Sequence, residues 1–173
     1  VAMSFNCRTL RVYISADRIG VSIAGALKNV LAISAGMSDG LGFGDNTKGA
    51  LVARGVLEMT RLGVAMGAQA TTFMGVAGVG DLFATANSKL SRNYRVGFGI
   101  GQGRSLHEVL QEIGQVAEGV PTADAAAMLA RQRGIQLPIH EMTSAVLRGH
   151  LDPRMGVGML MERLPKRAGW EEI

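Results

Sequence analysis

The sequence predicts a mainly α-helical domain that follows one short strand. Apolar residues recur at spacings of three and four along most of the chain, which is the periodicity of buried helix faces. Alternating, β-branched patterns nearly vanish after residue 14, whereas residues that cap and end helices recur. With 173 residues, 47% of them hydrophobic and 18% charged, the chain is long enough for one domain with a substantial core.

The first predicted elements are a strand and a helix. Residues 8–14, "RTLRVYI", alternate and contain Val and Tyr, which predicts the strand. Residues 22–34, "SIAGALKNVLAIS", have helical length and spacing, and Gly36 fits the C-terminal cap of this helix. Residues 37–46, "MSDGLGFGDN", then predict a glycine-rich loop.

A long amphipathic helix follows over residues 47–67 and stops at Gly67. The least periodic and most polar segment comes next, at residues 75–97. The apolar face of the long helix is formed by Leu51, Val52, Met59, Leu62, Ala65 and Met66.

Cap and stop residues organise the last third of the chain. Ser105 and Glu108 match a capping box ahead of a helix. Thr122 predicts the cap of a helix over 123–133, which Gly134 would end. The apolar face of the helix after Ser105 is formed by Leu106, Val109, Leu110 and Ile113.

Two further helices are predicted near the C-terminus. Residues 139–147 form the first of them. Asp152 followed by Pro153 is a cap with a first-turn proline, and it predicts a helix to about Arg163 ahead of a frayed tail.

Composition excludes several function classes. The net charge of +4 suits small anionic molecules as well as nucleic acid, but aromatics are only 5% and no basic stripe carries them, so nucleic-acid binding is not expected. A single cysteine, Cys7, allows no internal disulfide and suits a reducing, cytoplasmic compartment. The three histidines are far apart, so no metal site is expected, and no membrane span or signal peptide is predicted.

The 24 glycines contain neither common phosphate-binding pattern. No Gly-x-Gly-x-x-Gly and no Gly-Lys-Ser/Thr occurs, so the chain carries no dinucleotide-binding domain of its own. The chain also begins without Met, and we expect it to be cut from a longer protein.

Lys28 and Asn29 stand inside the apolar stretch "AGALKNVLAISAG". A lysine in apolar surroundings is unfavourable unless it is paired, and a desolvated lysine can act as an acid or base near neutral pH. Asn29 adds a donor and an acceptor beside it. The alternative is that Lys28 lies on the exposed face of an amphipathic helix.

Two other polar groups are candidates. Asp81 follows two glycines in "GVGDLFAT", with Thr85 one turn on, and it could orient a lysine or accept from a substrate hydroxyl; its alternative is a helix N-cap. Ser91, Arg92 and Asn93 together suit a phosphate, with a solvated cap as the alternative. Together the candidates describe a pocket for a small phosphate ester.

Several motifs resemble one enzyme family. "GALKNV", "GLGFGDNTKGALVARGVLEMTRLGVAMGA", "TFMGVAGVGDL", "LSRN" and "IGQVAEGVPTA" are similar to the C-terminal half of the bacterial NAD(P)-dependent glycerol-3-phosphate dehydrogenases. The resemblance runs from about Arg11 to about Pro153. It implies a helical substrate domain, with the nicotinamide cofactor, NAD or NADP, held mainly by a doubly wound N-terminal domain that this chain lacks.

The resemblance also implies a role for each matching residue. Lys28 would accept the proton of the substrate's C2 hydroxyl as hydride leaves for the nicotinamide, or return it in the reverse reaction. Asp81 would lie beside Lys28 and contact the substrate. The other implied contacts are Asn29 and Thr85 to the substrate, Ser91, Arg92 and Asn93 to its phosphate, and Arg92, Val116 and Glu118 to the cofactor.

The family reading implies a division of the chain and a setting for it. Residues 1–20 would be the last strand and linker of the cofactor domain, and residues 21–173 the helical catalytic domain. The whole enzyme would be a cytoplasmic homodimer of glycerophospholipid and carbohydrate metabolism, and this fragment alone would be inactive. Two alternatives stay open: a related dehydrogenase for another hydroxy acid or phosphate ester, and a non-catalytic helical domain for dimerisation or partner binding.

Overall fold

The structure is a computed structural model that describes residues 2–161, and every regular element in this part of the chain is helical. The prediction of a mainly α-helical domain is therefore confirmed. The elements are α1 (Ala2–Phe5), α2 (Arg18–Gly40), α3 (Asp45–Ala65), α4 (Ala70–Met74), a π-helical turn (Val76–Gly80), α5 (Asp81–Asn87), α6 (Arg92–Gly101), α7 (Leu106–Ile113), α8 (Gly119–Arg133), α9 (Pro138–Leu147) and α10 (Pro153–Met161).

The predicted strand at residues 8–14 is wrong. These residues follow an irregular path, and Tyr13 and Ile14 are 69% and 82% exposed. A strand needs a second strand to pair its backbone groups, and the described residues 2–161 supply none. The segment is instead held locally, where the Val12 N–H donates to the Asn6 side-chain oxygen at 2.7 Å.

Helix α2 is the central element of the domain. It packs against α3, α5, α6, α8 and α9, and residues 30–38 are buried without interruption. By length and composition α2 could cross a membrane, but 61% of its apolar window is buried inside the domain. A helix that is hydrophobic on all sides is equally typical of the core of a globular protein.

Glycines allow close backbone contact between α2 and α6. One of them, Gly36, is not the end of α2 that the sequence predicted. The helix continues through Gly36 to Gly40, because Gly36 is a packing residue rather than a cap. A methyl group at Gly36 would overlap the Tyr94 carbonyl oxygen, and one at Gly101 would lie 2.5 Å from the carbonyl oxygen of Met37. The predicted loop over 37–46 consequently shrinks to the residues between α2 and α3.

Several predicted caps and stops are confirmed. Gly67 and Gly134 have positive φ angles of 92° and 66° directly after α3 and α8. Ser105 and Glu108 form both hydrogen bonds of a capping box ahead of α7. Asp152 accepts the backbone N–H groups of the first turn of α10 at 2.9 and 3.1 Å.

The predicted cap of α8 at Thr122 is wrong. The helix begins at Gly119, four residues before the predicted start at residue 123, and the Thr122 hydroxyl donates to the Glu118 carbonyl at 2.7 Å inside the first turn. A threonine hydroxyl can bond the carbonyl four residues back, which is the geometry seen here. Helix α9 begins one residue before its predicted start, at Pro138. The predicted end of the last helix at Arg163 and the tail beyond it lie outside the described residues.

Candidate active site

The centre of the site is an ion pair between α2 and α5. Lys28 Nζ lies 2.5 Å from Asp81 Oδ2, and the two side chains are 19% and 42% exposed. Lys28 is thus half-buried. This lies between the two alternatives that the sequence left open, a desolvated lysine and a lysine on the exposed face of a helix. The burial removes much of its water, and Asp81 supplies the partner that a partly buried ammonium requires.

A wide helical turn carries Asp81 to this position. The π-helical turn precedes α5, and π-helical turns occur often at functional sites. Gly78 fits the turn only because it has no side chain: a methyl group there would overlap the backbone of the buried Phe73. Asp81 is not the N-cap of α5, since Gly80 holds that place, so its carboxylate is available to Lys28.

Thr85 lies one turn along α5 from Asp81, as its spacing predicts. Its hydroxyl donates to the Asp81 backbone carbonyl at 2.7 Å and lies 3.3 Å from Asp81 Oδ1. The hydroxyl therefore supports the carboxylate that holds Lys28.

A chain of amides connects three helices beside Lys28. Asn29 Oδ1 accepts from Asn93 Nδ2 at 3.0 Å, and Asn93 Oδ1 accepts from the Gly119 N–H at 2.9 Å. Both asparagines are buried, at 8% and 9% exposure. The Nδ2 of Asn29 also donates to the Gly25 carbonyl, at 3.1 Å. These bonds tie the starts of α6 and α8 to the turn of α2 that carries Lys28.

The three residues predicted to bind phosphate have different surroundings. The Ser91 hydroxyl accepts the Tyr94 N–H at 3.3 Å and so caps α6. The Asn93 amide is engaged within the protein. Arg92 is exposed, and its guanidinium forms no ion pair with any residue in the range 2–161. Of the three, Arg92 is the side chain most available to an anion.

The two residues predicted to touch a cofactor flank the start of α8. Val116 is 71% exposed beside an open, mostly apolar groove between α7 and α8, and Glu118 is exposed at the N-cap position of α8. The bond between Gly119 and Asn93 places this segment next to the first turn of α6, and so next to Arg92.

These residues fit one side of a dinucleotide. An unpaired guanidinium suits a pyrophosphate, and an exposed valine suits the face of a ring. They provide no glycine-rich turn at a helix N-terminus, which is the feature that holds a dinucleotide firmly.

Two glycines that shape the site were not predicted from the sequence, because their role depends on the distant residues that they contact. Gly119 is one: a methyl group there would lie 2.7 Å from the Asn29 carbonyl oxygen, so only glycine lets α8 approach α2. Gly78 is another. A glycine within a polar segment is the only local signal, and it does not reveal the distant partner.

Comparisons with known proteins show which family the chain belongs to. The sequence model of the family described as NAD-dependent glycerol-3-phosphate dehydrogenase C-terminus matches residues 17–157. A glycerol-3-phosphate dehydrogenase (NAD(P)+) of Citrifermentans bemidjiense is 52% identical over 169 residues, which cover 98% of this chain and 50% of that protein. The corresponding protein of Geobacter sulfurreducens is 51% identical over 166 residues, or 96% of this chain and 50% of that protein.

A solved structure shares the fold. The crystal structure of glycerol-3-phosphate dehydrogenase from Coxiella burnetii superposes with a TM-score of 0.90 at 40% identity, and the match covers 94% of this chain and 50% of that one. The chain therefore spans about half the length of the curated relatives that it matches. On the family match and these identities, the chain belongs to the family of NAD-dependent glycerol-3-phosphate dehydrogenase C-terminal domains.

Proposed function

We propose that this chain is the substrate-binding and catalytic half of an NAD(P)-dependent enzyme that interconverts sn-glycerol 3-phosphate and dihydroxyacetone phosphate. The observation that carries the proposal is the half-buried Lys28–Asp81 pair, 2.5 Å apart, together with the exposed guanidinium of Arg92 on α6, which forms no ion pair within residues 2–161. The names of the relatives support the same reaction.

Lys28 moves the proton in this proposal. As an ammonium paired with Asp81, it is in the form that donates a proton to the substrate's C2 oxygen when dihydroxyacetone phosphate is reduced. In the opposite direction Lys28 first loses a proton to solvent and then accepts the C2 hydroxyl proton. The nicotinamide, when bound, supplies or accepts the hydride at C2.

The other site residues bind and orient the substrate. The guanidinium of Arg92 offers a fork of donors to the substrate phosphate. Asp81, being 42% exposed, can accept from a substrate hydroxyl while it holds Lys28. Asn29 and Asn93 fix the positions of α6 and α8 around the substrate, and Ser91 caps the helix that carries Arg92.

The remaining proposals concern the parts around this domain. We assign residues 1–20 to the connection with a dinucleotide-binding domain and residues 21–173 to the catalytic domain. The enzyme would work in the cytoplasm as a homodimer, and the single, exposed Cys7 agrees with a reducing compartment.

A substitution at Lys28 tests the proposal in a complete enzyme, in which this chain follows the N-terminal half of the Citrifermentans bemidjiense relative. Lys28→Met keeps the length of the aliphatic stem and removes the proton carrier. Loss of a positioned acid–base group typically lowers kcat by about 10²–10⁴-fold. Lys89→Met, at an exposed position on the turn before α6, is the matched control and should leave kcat near normal.

The outcome separates the main alternatives. A complete enzyme that turns over sn-glycerol 3-phosphate but is unaffected by Lys28→Met would remove Lys28 from the mechanism. A complete enzyme that oxidises other hydroxy compounds and not sn-glycerol 3-phosphate would instead indicate a related dehydrogenase. No activity with any of them would favour a binding or dimerisation domain.

A further inference from the structure

A second polar cluster lies at the first turn of α6 and takes no part in the chemistry described so far. The Tyr94 hydroxyl donates to Asp39 Oδ2 at 2.7 Å, and Lys48 Nζ lies 2.7 Å from the same oxygen. We call Tyr94, Asp39 and Lys48 the tyrosine cluster. It joins the last turn of α2, the first turn of α3 and the first turn of α6.

The side chains of the tyrosine cluster are largely buried and make several contacts. Tyr94 is only 6% exposed, and Lys48 and Asp39 have side chains that are 13% and 21% exposed. Lys48 Nζ also lies 5.3 Å from the centre of the Tyr94 ring, within the range of a cation–π contact. Phe98 stacks on the same ring with centroids 6.1 Å apart.

The direction of the tyrosine bond is fixed. Burial, with the hydrogen bond to Asp39 and the charge of that carboxylate, raises the pKa of Tyr94 to about 12. The hydroxyl therefore keeps its proton across the neutral range and acts as a donor to Asp39.

Tyr94 comes two residues after Arg92, so the cluster and the amide chain hold the same helical turn from two sides. Asn93 ties that turn to Asn29 and Gly119, and Tyr94 ties it to Asp39. Because the next two side chains are anchored and Ser91 caps the helix, the backbone of Arg92 has a defined direction.

We propose that Tyr94, through Asp39 and Lys48, is a positioning residue that sets the direction from which Arg92 meets the substrate phosphate. The inference rests on the proposed function, because it assigns that phosphate to Arg92. The glycine contacts between α2 and α6 continue beyond the first turn, so α6 stays packed when the cluster is cut. The expected defect is therefore in phosphate binding rather than in folding.

Tyr94→Phe and Lys48→Met test this in the complete enzyme. Each should raise the KM for sn-glycerol 3-phosphate by about 3- to 10-fold, the size of coupling common between neighbouring groups, and leave kcat within about twofold. The double variant should show less than the sum of the two effects, since both residues act on one oxygen of Asp39. Lys48→Arg keeps the charge and should restore most of the KM.

Lys89→Met is the matched control for Lys48→Met, because it makes the same change at an exposed lysine. A KM unchanged by Tyr94→Phe and Lys48→Met would overturn the inference. So would a joint fall of kcat and unfolding temperature at constant KM, which would indicate structural support only. If Tyr94→Phe does not fold, Lys48→Met decides alone.

The proposed function and this inference fail in distinguishable ways. Failure of the unsubstituted enzyme to use sn-glycerol 3-phosphate overturns the function and the inference with it. A fully active unsubstituted enzyme whose cluster variants also keep a normal KM overturns the inference alone.

Discussion

Arg92 has an environment unlike that of its neighbours in sequence. The side chains of Asn93 and Tyr94 are buried and hydrogen-bonded, whereas the Arg92 guanidinium is exposed and forms no ion pair within the described part of the chain. This arrangement favours binding of an anion, since the backbone is already ordered and only the side chain of Arg92 loses conformational freedom on binding.

Arg92→Ala should weaken binding of phosphorylated substrates selectively. Loss of one charge-assisted contact to a phosphate should reduce binding by about 1.5–3 kcal/mol in the complete enzyme. Turnover of unphosphorylated glycerol, which offers nothing for Arg92 to hold, should change far less. Steady-state kinetics with both substrates measure the difference, and Arg95→Ala, on the same helix but paired with Glu112, is the control. Equal losses with both substrates would assign Arg92 another role.

At the residue scale, candidate functional side chains could be predicted from the sequence more readily than the contacts that they make. Lys28 and Asp81 could be singled out because a charge among apolar residues is visible locally, and the structure does bring them together. The bond between Asn93 and the Gly119 N–H could not be predicted, since it joins positions 26 residues apart whose approach depends on how two helices pack.

At the scale of helices, the most important contact is the one between α2 and α6. A methyl group at Gly97 would overlap the carbonyl oxygen of Ile33, which belongs to the rigid backbone of α2. Gly97→Ala should therefore lower the free energy of unfolding of this chain by about 1–3 kcal/mol, because neither helix can yield without losing the contact.

Gly49→Ala is the matched control for that change. Gly49 is exposed in α3 with nothing within 4 Å of an added methyl group, so the substitution should raise the free energy of unfolding by about 0.5–1 kcal/mol through helix propensity. Urea unfolding of both variants gives the comparison. A Gly97→Ala protein as stable as the parent would mean that the helices can separate freely.

Asp17 fixes the start of α2 against α4. One carboxylate oxygen accepts the Gly20 N–H at 2.8 Å, and the other accepts the Thr72 hydroxyl at 2.6 Å and the Gln69 N–H at 2.9 Å. The bond from Thr72, followed by those from the two backbone N–H groups, lowers the pKa of Asp17.

This lowered pKa sets the pH dependence of an Asp17→Asn variant. The charged carboxylate stabilises the fold above its unfolded pKa of about 3.9, and that stabilisation is lost as the pH falls through the lower folded value. Asp17→Asn should therefore be less stable than the parent at pH 7, with a difference that shrinks below about pH 4. Urea unfolding at several pH values tests this, with the exposed Asp45→Asn as control; a constant difference would contradict it.

Several helix boundaries were predictable from local signals. The capping box of Ser105, the positive φ at Gly134 and the cap at Asp152 depend only on adjacent backbone. Gly36 was misassigned because a packing glycine and a capping glycine are identical in sequence. The strand at 8–14 was misassigned for a similar reason: a strand requires a partner, and no local pattern supplies one.

At the scale of the whole molecule, the chain should fold by itself and still not catalyse. Its two groups of buried apolar side chains enclose α2 from both sides, which is sufficient for a stable domain. Val116, Glu118 and Arg92 offer too little surface to hold a dinucleotide alone. Calorimetric titration with NADH and NADPH should show no saturable binding at micromolar concentrations, and saturable binding would reveal a cofactor site within this chain.

The backbone contact between α2 and α6 also decides which parts of the domain can move. Two helices that touch through their main chains cannot slide or rotate past each other, so the turns that bear Lys28, Asn29 and Asn93 form one stiff body. We expect any adjustment to a bound molecule to occur at the periphery, in the π-helical turn before Asp81 and the segment before α8. We therefore expect conformational change in this domain at the edge of the candidate site and not at the α2–α6 contact.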